Sequence, residues 1–303
     1  MNFTFLTINQ AYGLDVMWKY GDKVAQTDLA ILLGGFSQKQ YCGLTSLGDL
    51  DCQSWTSSSN CGWVKCAGSY CWGSYIAEAE NRHVSARPAL SPEEVSKLGP
   101  LKTGTINIRG LSVVKVAEYG EYPQKIADEA ISKTLEKLYN AGYFWTTGKE
   151  YTFDSETDER MPFKPVCYPE YQMDGKKYIR IKGHYWARED ELSNGEKIKR
   201  GKAYWVEVSP IKWLVDVSGW MIAEKCLFSG IPFDTEGCDG DDFSSTFIKR
   251  YLDTYFAREI EPSVLEASRA GELQSSYQLS AIIEAKKKRN HQLLVNATIE
   301  ARR

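Results

Sequence analysis

Apolar residues fall at helical spacing most clearly over residues 125–140. There Ile131, Leu135, Leu138 and Tyr139 stand at i, i+4, i+7 and i+8 and predict an amphipathic helix. Elsewhere the period is two. Ile211, Trp213, Val215 and Val217 alternate along one strand and share a face, and Trp213 and Trp205 are assigned to the core. Strand-like runs also occupy residues 178–181 and 203–208, with the tight-turn pair Asn194-Gly195 between them. Residues 111–116 form another and run on through Glu118-Tyr119-Gly120-Glu121-Tyr122-Pro123-Gln124. A short strand opens the chain at residues 3–6. Residues 146–175 are polar and aromatic and show no readable period.

Helix boundaries are marked by capping chemistry. Residues 7–10 read as a helix entry. Thr27 is an N-cap for a helix that Gly34 and Gly35 stop. Ser91-Pro92-Glu93-Glu94 has an N-cap serine, proline at the first helical position and glutamate at the third, a capping-box signature. A last helix is predicted from a Ser244/Ser245 cap through Phe247, Ile248, Tyr251, Leu252 and Tyr255. Gly99-Pro100 and Gly104 mark one boundary, and Pro262 marks another. Beyond Pro262 there are seven Lys or Arg and four Glu, a net of +3. The preceding chain holds 30 basic and 36 acidic residues, a net of −6. The expected division is a domain over 1–261, built from halves 1–98 and 105–261, and a helical tail over 262–303.

Neither period occurs in residues 52–90. Cys52-Gln53-Ser54-Trp55-Thr56-Ser57-Ser58-Ser59-Asn60-Cys61-Gly62-Trp63 continues through Lys65, Ser69, Tyr70, Trp72 and Tyr75 with almost no aliphatic residue before Ile76. The absence of apolar alternation argues against a buried strand, and the three Trp argue against a disordered linker. A mixture of Tyr, Trp, Ser, Gly and Asn is typical of binding surfaces. There, rigid aromatics give area at low entropic cost and small polar residues adapt. The stretch is therefore expected to be a displayed recognition surface, with Trp63, Tyr70, Trp72 and Tyr75 as anchors. Ser57, Ser58, Asn60, Lys65, Ser69, Asn81 and His83 are placed around them.

Composition sharpens this only in part. The chain is 43% hydrophobic and 25% charged, an ordinary globular balance. Its aromatic share of 13%, with nine Trp and eighteen Tyr, favours strands and exposed aromatic contacts over a helical bundle. A net charge of −3 gives no general case for nucleic acid, beyond a weak phosphate contact through Lys286, Lys287, Lys288 and Arg289. No apolar run is long enough to span a membrane. The start of the chain has neither a basic region nor a hydrophobic core of a signal peptide, so a cytoplasmic or virion-associated location is expected. Five of the eight cysteines (Cys42, Cys52, Cys61, Cys66 and Cys71) lie close together, yet no C-x-x-C pair occurs, which argues against zinc. His83, His184 and His291 are too scattered for a metal triad, and His184 reads as a packed or capping residue. Asp234, Glu236, Asp239, Asp241 and Asp242 read as a solvated acidic turn. No cofactor and no metal are expected, and no dinucleotide fingerprint, P-loop or nucleophile elbow is present.

Several of these pieces together resemble a known pattern. Glu118-Tyr119-Gly120-Glu121-Tyr122-Pro123-Gln124, Pro210-Ile211-Lys212-Trp213 and residues 243–252 are similar to the first half of uncharacterised bacterial and phage C-type-lectin-like domains. Phe5-Leu6 to Gln10, Trp55-Thr56-Ser57-Ser58 and Ala86-Arg87-Pro88-Ala89-Leu90 are similar to their second half. The match covers about 1–92 and 111–260, with the halves in reversed order, as in a circular permutation. The resemblance implies an α+β fold, a C-type-lectin-like mixed sheet with flanking helices, plus the C-terminal helical tail. Residues 57–83 would occupy the place of the displayed residues in the variable proteins of diversity-generating retroelements. A non-enzymatic protein encoded by a phage or mobile element is expected, with a protein or glycan surface as partner and the tail available for oligomer formation. Two alternatives stay open. One is an anti-CRISPR-like intracellular inhibitor of a host defence complex. The other is an oxidase of the formylglycine-generating type, which would draw a cysteine pair from Cys61, Cys66 and Cys71.

Overall fold

The computed structural model describes residues 1–16, 25–35, 54–60, 63–67, 75–78, 82–108, 112–143, 145–154, 163–184, 191–234 and 242–263. The first helices are α1 (Ile8–Gly13) and α2 (Asp28–Leu32). Strands β1 (Ser54–Asn60), β2 (Trp63–Ala67) and β3 (Tyr75–Glu78) follow, then β4 (Ala89–Leu90) and α3 (Pro92–Ser96). Next come β5 (Lys102–Ile108), β6 (Ser112–Ile126), α4 (Glu129–Asn140), β7 (Thr146–Asp154), β8 (Pro165–Met173) and β9 (Lys176–Lys182). The chain continues through β10 (Ala203–Val215), β11 (Met221–Ala223), a 3-10 turn (Phe243–Ser245) and α5 (Phe247–Tyr251). A π-helical turn, Leu252–Phe256, leads from α5 into α6 (Ala257–Glu259). The protein is thus α+β.

An eight-stranded sheet runs β4-β11-β10-β9-β8-β7, with β6 beside β10 and β5 beside β6. Its named strand pairings are all antiparallel, and a single parallel bridge joins Gln26 to Cys226. β10 is the trunk. It pairs with β6 from Val206 to Leu214, and on its other edge with β9 and then β11. Both of its faces are covered: Ile211 and Trp213 enter the main core cluster, and Leu214 enters a second one with Leu6, Ala11, Val16 and Val116.

The main core draws on both ends of the sequence. Phe3, Phe5 and Leu29 pack in one cluster with Trp213, Phe228, Tyr251 and Phe256. Phe3 stacks on Trp213 at 6.0 Å and meets Phe256 edge-on at 5.0 Å. β4 pairs with β11, and Thr4 bridges Ala89. Asp28 is buried and works as a staple. Its carboxylate accepts hydrogen bonds from the Ile126 amide at 2.7 Å and from the Ser193 amide at 2.8 Å.

The motif residues singled out in the sequence meet one another. Gly120 has φ +69°, and a Cβ there would stand 2.9 Å from the Ile260 carbonyl, so this close crossing requires glycine. Tyr122 is fully buried. Gln124 Nε2 donates to the Ser209 carbonyl at 2.9 Å and the Pro210 carbonyl at 3.0 Å. Trp213 Nε1 donates to the Tyr119 carbonyl at 2.8 Å. Arg87 Nε donates to the Ala223 carbonyl at 2.8 Å and locks the β4 approach onto β11.

Several boundaries differ from the sequence reading. The two strands expected at 203–208 and 211–217 are one, β10, and Val217 lies beyond its end, 85% exposed. Pro210 is accommodated at a register shift, where a missing N–H costs no ladder bond. Residues 3–6 form a bridge and not a strand. Gly104 lies inside β5 and not in a linker. Thr246 caps α5, because Ser244 and Ser245 belong to the 3-10 turn that Asp242 caps. Glu94 does not close a capping box on Ser91: its carboxylate takes the Asn2 amide at 2.9 Å and Lys97 Nζ at 2.5 Å. The basic cluster from Lys286 to Arg289, the tail from 264 onward and the acidic residues Glu236, Asp239 and Asp241 lie outside the described residues. No helix among the described residues is long and apolar enough to cross a membrane.

Candidate functional site

The stretch read as a displayed surface contains strands of its own. β1, β2 and β3 form a three-stranded antiparallel sheet, separate from the larger one. Asn60 pairs with Trp63, so only two residues join β1 to β2. The missing apolar alternation concealed these strands, because small polar residues satisfy ladder bonds as well as aliphatic ones do. α1 lies beside β1 and β2, and the 3-10 turn lies beside β1.

Register divides the expected site residues between two faces, since directly paired residues share a side. Asn60, Trp63 and Glu78 fall on one face with Lys65 and Ile76. Trp55, Cys66 and Tyr75 fall on the other, with Ser59, Val64 and Ala77. Trp63 and Tyr75, both expected as anchors, are therefore on opposite faces. Between Trp55 and Ser59 the register shifts: three residues, Thr56, Ser57 and Ser58, stand opposite Lys65 alone. Such bulges bend a strand and re-aim its residues, and they concentrate beside functional sites. Ser69, Tyr70, Trp72 and Asn81 lie outside the described residues.

His83 corrects the sequence reading. It is 7% exposed, and its Nδ1 lies 2.9 Å from the Gly34 carbonyl. It belongs to a strap, residues 82–90, that is buried throughout. Arg82 Nη1 reaches Asp154 at 2.5 Å, and the other Asp154 oxygen accepts the Lys164 amide at 3.0 Å. The Arg82 carbonyl takes the Gly230 amide, and Ala86 exchanges bonds with Phe228 and Leu227. The strap ties the chain firmly into the core a few residues after β3.

Two polar features went unread in the sequence. One is a cleft of ≈ 570 Å³ between α4, the turn at Asn194 and the start of β10. Its charges are paired internally. Glu136 is held by Arg180 at 2.8 Å and by Trp205 Nε1 at 2.9 Å, and the Arg180 contact first of all keeps its carboxyl below the usual range. Lys133 pairs with Glu129, and Lys202 with Glu196.

The other is a buried polar cluster under the C-terminal helix. Glu170 is fully buried and accepts from Tyr151 Oη at 2.7 Å, Thr147 Oγ1 at 2.7 Å and Ser263 Oγ at 2.5 Å. Glu259 is 1% exposed and accepts the Thr152 amide at 2.8 Å. Burial pushes its carboxyl up to about 7. Tyr251 Oη donates to the Thr152 carbonyl at 2.6 Å, and burial raises the Tyr122, Tyr151 and Tyr251 hydroxyls above their ordinary value. Buried acids look like surface residues in a sequence. The one available signal was the position of Glu259, three residues beyond Phe256 on the stripe that carries Ile248, Leu252 and Phe256.

Among the described residues no group of three His, Cys, Asp or Glu is placed to hold a metal ion. Cys167 is an exposed cysteine and Cys226 a buried one. Together the fold and site define an α+β protein with a large antiparallel sheet and a second, small one rich in Ser and Trp. Comparison of the chain with protein-family models, curated proteins and solved structures finds no match.

Proposed function

We propose that the protein is a non-enzymatic binding protein that presents the β1–β3 sheet to a protein or glycan surface, in the manner of phage- or mobile-element-encoded C-type-lectin-like proteins. The carrying observation is the bulge at Thr56–Ser58 opposite Lys65, set in a small sheet whose strands pair with one another apart from the main sheet. A Ser-rich bulge beside a Trp is unnecessary for a sheet that serves only as a brace. It suits a surface that must adapt to a partner. The working face in this reading is the one shared by Asn60, Trp63 and Lys65. Tyr75, on the reverse face, is not part of it, and neither is buried His83.

The test is capture from a lysate of the protein's source cells and from a glycan array, with wild type, Trp63→Ala and Tyr75→Ala compared. The expected result is a partner whose affinity falls at least tenfold with Trp63→Ala, the size typical of a central aromatic anchor, and holds with Tyr75→Ala. Equal affinity for wild type and Trp63→Ala contradicts the reading.

A further inference from the structure

The chain leaves the C-terminal helix through a segment that is fastened residue by residue. Glu259 accepts the Thr152 amide at 2.8 Å, the Ile260 carbonyl accepts the Glu121 amide at 2.7 Å, and the Glu261 carbonyl accepts Lys149 Nζ at 2.6 Å. Ser263 donates to Glu170 at 2.5 Å and accepts from Lys177 Nζ at 3.3 Å. Among these fastenings the Glu259 carboxyl is bonded through one oxygen only. Glu259 Oε1 holds the Thr152 amide, while Oε2 is buried with no hydrogen-bond partner among the described residues. No cation pairs with this carboxyl among the described residues. Lys149 is turned to the Glu261 carbonyl, and Lys177 pairs with Glu121.

The hydrogen bonds of Thr152 and the charges of Arg258 and Lys149 favour ionised Glu259, but burial outweighs them. Tyr122 and Glu121 come from β6, Lys149 and Tyr151 from β7, and Glu170 from β8. Tyr251 and Arg258 come from the helix itself. Tyr122 Oη is buried and also has no hydrogen-bond partner. Phe256 and Ile260, both fully buried, flank the carboxyl along the chain. A neutral carboxyl fits here: it keeps the Thr152 bond and leaves no charge unpaired. An ionised one is a buried anion with hydrogen bonds from Thr152 and no ion pair among the described residues, a costly state.

We propose that Glu259 is a proton-operated latch: neutral, it holds residues 257–263 against β7; ionised, it releases them toward water. The pH at which it works is set by burial, which moves the carboxyl from 4.5 to about 7. What the latch releases is the root of residues 264–303, the part of the chain with net charge +3. Opening there is a local event of the kind that hydrogen exchange detects, distinct from global unfolding.

The test is hydrogen exchange on the full chain from pH 6 to 8.5, with rates corrected for the intrinsic pH dependence of amide exchange. Wild-type protection over residues 257–263 should fall at least tenfold across that range, while protection in β10 holds. Glu259→Gln, which keeps the shape and the acceptor but carries no charge, should show flat protection. If Glu259→Gln does not fold, carbon-detected titration of the wild-type carboxyl decides. A midpoint near neutrality supports the latch, and one near 4.5 overturns it. Flat wild-type protection, or an equal fall in Glu259→Gln, also overturns it.

Discussion

The small sheet of β1, β2 and β3 and the strap at residues 82–90 are near neighbours in sequence, share a taste for small polar residues, and have opposite structural roles. The first forms a small separate sheet with a Ser-rich bulge. The second is buried at every position and bonded to β7, β11 and the loop before α5. What separates them is whether each polar group has a fixed partner. Arg82, His83, Ser85 and Arg87 are all buried polar residues, and burial of this kind is tolerated only when hydrogen bonds compensate it. Composition alone cannot reveal that, and His83 was assigned to the wrong region for this reason.

Substitutions in the core and the strap should have the largest effects. Trp213→Ala removes a fully buried indole and its bond to Tyr119, and should cost about 3–5 kcal/mol in urea unfolding. Arg82→Met removes the charge partner of buried Asp154 and should cost a similar ~3–5 kcal/mol. A loss below about 1 kcal/mol would mean that the strap is not the anchor described above.

The next effect depends on pH. Because the Glu259 carboxyl is raised from 4.5 to about 7, the stability of its neutral form is fully present below about pH 4.5 and is lost as pH rises through about 7. The loss should be about 3 kcal/mol, and Glu259→Gln should remove it. Glu136, held below the usual range by Arg180, acts in the opposite sense, losing its contribution only as pH falls below about 4.5. Urea unfolding at pH 5, 6.5 and 8 separates the two. The smallest effect belongs to the bulge: Ser57→Ala with Ser58→Ala should change stability by no more than about 0.5 kcal/mol.

Much of the fold was legible in the sequence. Thr27 and Ser91 announced their helices by capping, Leu135 and Leu138 showed the buried face of α4, and Trp213 sat where its alternation placed it. The run through Pro210 was read as two strands, but the proline stands at a register shift where its missing N–H costs no ladder bond, so one strand continues. β7 and β8 were illegible because their inner residues include Thr152, Asp154 and Glu170, buried polar groups that mimic a surface pattern. The small sheet was illegible for the reverse reason: its strands show no apolar alternation. In both cases hydrogen bonding, which no periodicity records, decided the outcome.

Trp63 is proposed to serve a partner, whereas the strap and core hold the fold, and this contrast is open to measurement. It is tested most directly by measuring urea unfolding and partner affinity on the same preparation of Trp63→Ala. The expected result is stability within about 0.5 kcal/mol of wild type together with at least a tenfold loss of affinity. Loss of about 3 kcal/mol or more of stability, the behaviour of a buried aromatic, would place Trp63 with Trp213 in the core and contradict the account.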